Sequence, residues 1–439
     1  MKRVQLVLLV CLAAVVLFLG AVLFVNAQSG TLAYLPVVIK MPTPTPTPSP
    51  TPVPTPTPPM VEFRGLWVTR FDWTLNASEI NQAKIDEIVN NAASAGFNVI
   101  FFQVRGEADA FYASNYEPWS RRLTGTLGQD PGWDPLGYMV QQAHARGIQV
   151  HAYINVYPVW TDDSNVPGCQ VPPDGTTPRH LYYLLRDYHG TISGKSNGLQ
   201  WNISDQVPCS PYLRVSPASI FFDNHLMDVA RDLVTRYDID GLHLDHIRYD
   251  GANVSCDPVS EGRYGTNCFG YNGVETYADW QRRQVNGTVS KIYEQIVPLK
   301  PKLWLSAAVW PMYIDYWGWG GLEGYHDYYQ DSKAWVGGGY IDSISPMIYG
   351  SSFWTQSRWQ TLVQDFQNSG NGRFVIPGIG ANFSDFAEIE ARINMARQIG
   401  TAGHAIFSYS GLLANGYFDD LANGPYAIPA TVPEITWHP

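Results

Sequence analysis

Short apolar runs recur along the chain from Val61 onward, with longer amphipathic stretches between them. The apolar runs lie at 63–69, 98–104, 148–155, 240–245, 303–309, 341–348, 374–379 and 404–409, and the helical patterns at 78–95, 134–146, 223–237, 275–297, 325–336, 356–368 and 384–399. Short runs bounded by turn residues are typical of buried strands, and a 3.6-residue period indicates helices. Eight strands that alternate with helices predict an α/β fold, a (β/α)8 TIM-type barrel.

Two connections in this pattern are much longer than the others. They follow the third and fourth predicted strands, at 156–222 and 246–274. Long loops are commonly functional, and both begin at the strand ends where such barrels carry their active sites. An open Rossmann-like sheet is the alternative. It is disfavoured because the first strand is followed by VTRFDW at 68–73, which has no glycine-rich turn.

The first 60 residues have a different character. Lys2 and Arg3 precede an apolar run from Val4 to Val25, which fits a cleaved signal peptide and is also long enough to span a bilayer. We therefore expect export, with the protein either secreted or tethered to the outer face of the cell membrane. The predicted division of the chain is a signal peptide or anchor at 1–27, a short apolar segment at 28–41, a Pro/Thr-rich linker at 42–59, the barrel at 61–425 and a tail at 426–439.

Charge and cysteine content narrow the possible classes of protein. The formal net charge is −11 and no basic stripe is present, which argues against a nucleic-acid partner. Membrane contact is expected only through the N-terminal segment.

Four cysteines follow that segment, and an even number in an oxidising compartment predicts disulfides. We predict the local pairs Cys169–Cys209 and Cys256–Cys268, with cross-pairing between the two insertions as the alternative.

Five segments carry a resemblance to a known family. They are FRGLWVTR (63–70), GFNVIFFQVRGEADAFY (96–112), GIQVHAYINVY (147–157), DGLHLDHIRYD (240–250) and IDSISPMIYG (341–350). Together, over about residues 61–420, the chain resembles the glycosyl-hydrolase-like 10 family of bacterial surface proteins. The resemblance implies a (β/α)8 barrel related to glycoside hydrolases, some of which are associated with cleaving peptidoglycan glycan strands. Relatives commonly read HAW-x-NPYR after the third strand, whereas this chain reads HAYINVYP at 151–158 and lacks the arginine.

Glycoside hydrolysis requires two carboxyl groups that flank the scissile bond. In GLHLDHIRY (241–249), alternation places His243 and Asp245 inside the barrel and the two leucines outside. Asp245 ends the fourth strand and is predicted to be the nucleophile or base, with Arg248 and Tyr249 close by. The alternative is that Asp245 and Arg248 form only a structural ion pair.

The second carboxyl group has four candidates. Glu107 and Asp109 follow the second strand, where they could instead cap the next helix. Asp315 and Glu323 lie in an aromatic loop after the fifth strand, and an apolar setting there would raise a carboxyl pKa as a general acid requires. Further residues at predicted strand ends or inward positions are candidates for substrate binding: Arg105, His151, Asn155, His243, Arg248, Tyr249, Trp310, Tyr349 and Tyr409.

These residues favour an exported glycosidase that acts on a polysaccharide, peptidoglycan being one candidate, without a metal or other cofactor. A metal-dependent hydrolase or deacetylase that uses His151, His243, Asp245 and His246 is a first alternative. It is disfavoured because alternation predicts that His246 points outward. A non-catalytic, carbohydrate-binding surface protein on a barrel scaffold is the second alternative. Two carboxylates about 5–10 Å apart in one cleft would distinguish the hydrolase from the binding protein.

Overall fold

The computed structural model describes residues 60–161, 170–209, 211–350 and 352–438. The predicted signal or anchor segment, the short apolar segment, the Pro/Thr-rich linker and Cys169 lie outside these residues. Among the residues described, no helix is both long and apolar enough to cross a membrane.

Eight parallel strands form the centre of the protein, and each pairs with its neighbours in chain order. The seventh strand is interrupted at Ile376–Pro377, and its first piece pairs with the sixth strand while its second piece pairs with the eighth. The two edges of the sheet are therefore two pieces of the same strand, which closes the sheet into a barrel. The predicted (β/α)8 barrel is confirmed. The strands are β1 (Phe63–Val68), β2 (Val99–Arg105), β3 (Gln149–Asn155), β4 (Gly241–Asp245), β5 (Trp304–Val309), β6 (Ser343–Pro346), β7 (Phe374–Val375 and Gly378–Gly380) and β8 (Gly403–Phe407).

Helices follow every strand, and local sequence signals fix several of their ends. The Asp134 side chain accepts a hydrogen bond from the Gly137 N–H, with proline at the next position, where its missing N–H costs nothing. Gly96 and Gly400 end two helices with positive φ angles of 89° and 80°. The helices are α1 (Gln82–Ala95), α2 (Pro135–His144), α3 (Ile220–Arg236), α4 (Tyr277–Gln295), α5 (Ser332–Gly337), α6 (Gln356–Asn368), α7 (Ala387–Ile399), α8 (Tyr409–Asn415) and α9 (Phe418–Asn423).

The barrel has two apolar cores, which the alternation of the strands separates. Leu242 and Leu244 of β4 belong to the outer core between the strands and the helices. Inward-facing rings fill the barrel itself; His243 lies 4.2 Å from Phe101 between ring centroids. His151 lies 5.9 Å from Trp304, again between centroids. The predicted inward direction of both histidines is therefore confirmed.

The two insertions build additional structure on the carboxyl side of the barrel. The insertion after β3 contains a helix (Leu181–His189) and an antiparallel pair formed by Pro158–Thr161 and Tyr212–Arg214. The insertion after β4 contains a helix (Pro258–Tyr264) and the disulfide Cys256–Cys268, with a Cα–Cα distance of 5.4 Å. That predicted pairing is confirmed. Cys209 is also disulfide-bonded, and the assignment of Cys169 as its partner stays a prediction.

The C-terminal segment packs beneath the barrel, at the amino ends of the strands. Ala430–Thr431 pairs in parallel with Met60–Val61. Further along, Trp437 Nε1 donates a 2.7 Å hydrogen bond to the buried Asp342, and His438 Nε2 lies 2.8 Å from the same carboxylate oxygen. The predicted tail at 426–439 is thus, as far as His438, part of the folded unit.

Candidate active site

Asp245 lies at the mouth of the barrel, where β4 ends. Its Oδ1 accepts a 2.6 Å hydrogen bond from the His246 N–H, and its Oδ2 accepts one of 3.1 Å from the Tyr153 hydroxyl. Arg248 Nη1 lies 3.3 Å from Oδ1. Tyr153 belongs to β3, which pairs with β4, so adjacent strands deliver the carboxylate and its hydroxyl donor to the same place.

The surroundings of Asp245 keep it ionised. Burial alone would raise its pKa, but the Arg248 guanidinium and the hydrogen bond from the His246 N–H hold the pKa below its usual value. Burial, followed by the charge of Asp245, raises the pKa of Tyr153, so its hydroxyl stays protonated and donates. An ionised carboxylate at this position can attack a sugar carbon or accept a proton from water. It cannot serve as a general acid.

One wall of the mouth is cationic. Arg214, from the insertion after β3, donates a 3.1 Å hydrogen bond from Nη1 to His246 Nδ1 and pairs through Nε with Asp250 at 2.5 Å. Burial lowers the pKa of His246 well below its usual value, so the ring is neutral. The prediction that His246 points outward is wrong, because the residue follows the strand end and has a positive φ of 49°, which ends the strand alternation.

A second wall is aromatic and leads to Glu323. The Trp310 ring lies 4.0 Å from that of Tyr328 and 5.5 Å from the Arg248 guanidinium. Trp310 Nε1 donates a 2.8 Å hydrogen bond to the Leu322 carbonyl oxygen, next to Glu323. Glu323 Oε1 accepts from the Asp315 N–H at 3.0 Å, whereas its Oε2 forms no hydrogen bond in the part of the chain described and lies 3.7 Å from His326 Nε2.

Tyr349 completes this side of the mouth, as predicted from its place at the end of the sixth strand. Its ring stacks on Phe407 with centroids 4.5 Å apart and meets Trp67 edge-on at 6.0 Å. Burial raises the pKa of the Tyr349 hydroxyl, and the nearby charge of Asp245 raises it further. Tyr349 is thus a neutral polar group close to Asp245.

The other three candidates for the second carboxyl group have structural partners. Glu107 Oε1 lies 3.5 Å from Arg70 Nη2, and its Oε2 lies 3.7 Å from Arg121 Nη2. Asp109 accepts hydrogen bonds from the backbone N–H groups of residues 106 and 107 and so holds its own turn. For Asp315 the predicted rise in pKa is wrong, because backbone N–H groups of residues 317–320 lower it.

Several predicted substrate contacts lie away from the mouth. Arg105 is fully buried, where it forms two 2.8 Å bonds with Glu117 and donates to the Asn155 carbonyl oxygen. The Tyr409 hydroxyl donates to Glu87, between the helices outside the barrel. Tyr249 is fully buried 5.4 Å from the ring of Tyr329. Substrate therefore cannot reach these three side chains without rearrangement.

The inward histidines are also inaccessible. His151 and His243 are fully buried, and burial lowers the pKa of each to about 3, so both are neutral components of the interior. Asn155 lies nearer the mouth, in register with Asp245, and donates from Nδ2 to the Gly106 carbonyl oxygen at 3.1 Å. Its Oδ1 has no hydrogen-bond partner among the residues described.

The geometry gives the metal-dependent alternative no ligand set. Over the described ranges, no group of three or more His, Cys, Asp or Glu side chains converges to hold a metal ion. His151 lies among aromatic rings deep in the barrel, and the ring of His246 faces Tyr212, with centroids 5.4 Å apart.

Four residues of the mouth were not among the predicted site residues. Alternation places Tyr153 on the inward face of β3 with His151 and Asn155, but it was not chosen as a site residue. Arg70 follows β1 and donates from Nη2 to the Tyr212 hydroxyl at 3.0 Å. Tyr212 and Arg214 come from the insertion after β3, where no periodic pattern marks them.

The fold agrees with what comparison with known proteins shows. The model of the family described as glycosyl hydrolase-like 10 matches residues 62–371. The chain belongs to this family. It is 28% identical over 406 residues to the glycosyl hydrolase YngK of Bacillus subtilis (strain 168), covering 86% of this chain and 74% of that protein. It is 27% identical over 328 residues to the glycosyl hydrolase DigH of Escherichia coli (strain K12), covering 69% and 68%.

Solved structures of glycoside hydrolases share the barrel. The PgaB (BpsB) glycoside hydrolase domain from Bordetella bronchiseptica aligns with a TM-score of 0.55 at 11% identity, over 85% of this chain and all 100% of that one. Alpha-L-fucosidase isoenzyme 2 from Paenibacillus thiaminolyticus aligns with a TM-score of 0.53 at 14% identity, over 83% of this chain and 49% of that one. At these identities the likeness shows the fold alone. Membership of the family, together with this fold, supports a glycosidase-like function.

Proposed function

We propose that the protein is an exported glycoside hydrolase that cleaves glycosidic bonds in a cell-wall or extracellular polysaccharide, peptidoglycan being one candidate. The observation that carries the proposal is the ionised Asp245 at the barrel mouth, which Tyr153 and Arg248 hold in place. Two-carboxylate hydrolysis requires one carboxylate that stays charged, to act as nucleophile or to activate water. The low pKa of Asp245 meets that requirement.

Glu323 is the general acid in this proposal. A general acid must keep its proton until it transfers the proton to the leaving oxygen. Glu107 is paired with two arginines, and backbone N–H groups stabilise the charged form of Asp315. Glu323 is only 19% exposed and adjoins the Trp310 wall. Its Oε2 forms no hydrogen bond among the described residues and lies 3.7 Å from Nε2 of the exposed His326, whereas Glu107 faces two arginines.

Activity is tested first on substrates. The full-length protein is incubated with purified peptidoglycan and with a panel of polysaccharides, and released fragments are identified by mass spectrometry. We expect fragments whose new reducing ends show cleavage of a glycosidic bond, and none from the Asp245→Asn variant. If wild type and variant bind a glycan equally and neither releases fragments, the protein is a carbohydrate-binding protein on a barrel scaffold.

The role of Glu323 is tested on two substrates that differ in their leaving group. Glu323→Gln should lose activity on a natural glycan by about 100-fold or more, because protonation of the leaving oxygen is lost. It should retain most activity on an activated aryl glycoside, whose leaving group needs no proton. Glu294→Gln, on the exposed face of α4, is the matched control. Equal losses on both substrates for Glu323→Gln would contradict this assignment.

A further inference from the structure

Three arginines meet at the edge of the mouth, on the side of β1 and β2. Arg70 follows β1, and Arg121 and Arg122 begin the short helix Arg121–Thr124. Arg70 and Arg122 lie on the ring of Phe71, with guanidinium carbons 4.3 Å and 4.4 Å from its centroid, and Arg121 lies 4.3 Å from the ring of Trp160. We refer to Arg70, Arg121 and Arg122 as the arginine cluster.

Positive charge exceeds negative charge in this cluster. Glu107 is within ion-pair distance of Arg70 and Arg121, whereas Arg122 has no ion pair in the part of the chain described. Asp109 also offsets part of the charge at Arg122, but the three arginines still face only two carboxylates, Glu107 and Asp109. Burial, and then the charge of Arg70, lowers the pKa of Arg122. The repulsion between Arg70 and Arg122 destabilises the fold, because a partly buried cation without an ion-pair partner costs free energy. It occurs in a protein whose net charge is −11.

Unused hydrogen-bonding capacity lies beside this charge. Arg70 is 2% exposed, and its Nε has no hydrogen-bond partner among the described residues; the same is true of Thr161 Oγ1. The Thr161 N–H donates to Glu107 at 3.2 Å, which places this second orphaned atom at the same carboxylate. Phe71, 39% exposed, packs against the guanidinium groups of Arg70 and Arg122. Positive charge and unused hydrogen-bonding atoms therefore converge on one spot.

The arginine cluster adjoins the catalytic carboxylate through Tyr212. Arg70 Nη2 donates to the Tyr212 hydroxyl, and the Tyr212 ring packs 5.4 Å from that of His246, the residue after Asp245. A sugar chain that crosses Asp245 towards β1 and β2 would therefore place a neighbouring unit at the cluster. Guanidinium groups bind carboxylates in a bidentate manner.

We propose that the arginine cluster is a subsite for an acidic sugar, in which Arg122, with the positive charge of Arg70 and Arg121 beside it, binds the carboxylate of a substrate unit next to the bond that is cleaved. This inference rests on the proposed function, because it assumes that a glycan lies across Asp245. It adds the chemical class of the substrate: a polysaccharide with carboxylate groups. A neutral glycan would leave Arg122 without a partner in the complex.

The experiment compares each acidic glycan with its carboxyl-reduced form, in which the carboxylate has become a primary alcohol. The probes are oligogalacturonates, hyaluronan oligosaccharides and muramate-containing glycan strands. Binding is measured by calorimetry with full-length Asp245→Asn protein, which prevents turnover. We expect at least one native glycan to have a Kd at least about tenfold lower than that of its reduced form, because a hydrogen bond to a charged group contributes enough binding free energy for a ratio of that size or larger.

Arg122→Gln, added to the same background, should abolish this preference, and Arg122→Lys should keep part of it. Arg231→Gln is the matched control, because Arg231 pairs with Asp228 on the exposed face of α3 and should leave the preference intact. Arg122→Gln should change the melting temperature little, because Arg122 has no ion pair among the described residues and the glutamine can still pack on Phe71. Equal binding of native and reduced glycans, a preference that survives Arg122→Gln, or no binding of any acidic glycan would overturn the subsite.

Wild-type turnover on the same glycans separates the two proposals. If reduced glycans are cleaved as fast as native ones, the hydrolase stands and the acidic subsite fails. If native glycans bind with the expected preference and are never cleaved, the subsite stands and the hydrolase fails.

Discussion

Replacing Asp245 by asparagine removes one charge and almost no volume, and its effects on activity and stability should differ. The amide oxygen can still accept the His246 N–H, now 2.6 Å from Oδ1, and the Tyr153 hydroxyl can rotate to accept from the new amide group. What is lost is the contact with Arg248 at 3.3 Å. A hydrogen bond between charged groups contributes about 1.5–3 kcal/mol, so we expect a loss of that order in the free energy of unfolding.

Activity should fall much further. Without a charged oxygen there is neither a nucleophile nor a base, and loss of such a group lowers kcat by about 100- to 10,000-fold. The pKa of Asp245 is below its usual value in the folded protein, so its charge stabilises the fold above the unfolded pKa and this stabilisation is lost as pH falls through the folded pKa. The asparagine variant should therefore lose less stability than wild type on acidification below about pH 4.

The matched control is Asp342→Asn, at the opposite end of the barrel. Asp342 is also buried and accepts hydrogen bonds from the Leu305 N–H at 2.8 Å and from Trp437 at 2.7 Å. Its variant should lose stability and keep normal kcat per folded molecule. Melting temperature and kcat are measured on both proteins. Removal of a general base lowers kcat by more than about tenfold. If Asp245→Asn keeps more than about a tenth of wild-type kcat and has the same melting temperature as Asp342→Asn, then Asp245 has a structural role and the mechanism is refuted.

Three further predictions concern the scaffold. The pKa of His151 is about 3 in the folded protein, so between about pH 3 and pH 6.5 the unfolded chain binds more protons and stability falls as the pH drops. His151→Phe should therefore make the melting temperature depend less on pH between pH 7 and 5. An unchanged pH dependence would contradict the assignment of His151 as neutral. Deleting residues 430–439 should lower the melting temperature by several degrees, because Trp437 and the strand pair at Ala430–Thr431 are lost; a deletion that melts like wild type would show that the segment adds no stability. Replacing Cys256 and Cys268 by serine should destabilise by about 2–4 kcal/mol, measured by denaturant unfolding, and insensitivity of the wild type to reductant would count against that contribution.

The barrel could be predicted from sequence because its strands are buried on both faces and its helices are periodic. In β4, Leu242 and Leu244 alternate with His243 and Asp245. Only one orientation of the strand turns the leucines towards the helices and the polar residues into the barrel. The interruption of β7 was not predicted, since Ile376 continues the apolar run. Pro377 has no N–H to donate to the sheet, and the chain resumes pairing one residue later with the other neighbour.

The site was predicted only where it lies on regular strands. A register shift between Gln103 and Arg105 breaks the alternation of β2, which is why Arg105 turns to Glu117 instead of to the mouth. Arg214 and Tyr212 reach the mouth from an insertion, so their positions depend on tertiary packing that no local pattern records. Asp245 is the last residue of β4 and Tyr349 lies three residues after β6, and both lie at the mouth.

The parallel pair between Met60–Val61 and Ala430–Thr431 brings the two ends of the folded unit together under the barrel, away from Asp245. A support, a fluorophore or a second enzyme attached after residue 438 would therefore leave the opening of the barrel accessible to a long polymer. The same proximity favours circular permutation, since a short peptide could join the ends and new ends could be opened in an exposed loop. The protein is thus well suited to oriented immobilisation on an insoluble glycan or a sensor surface.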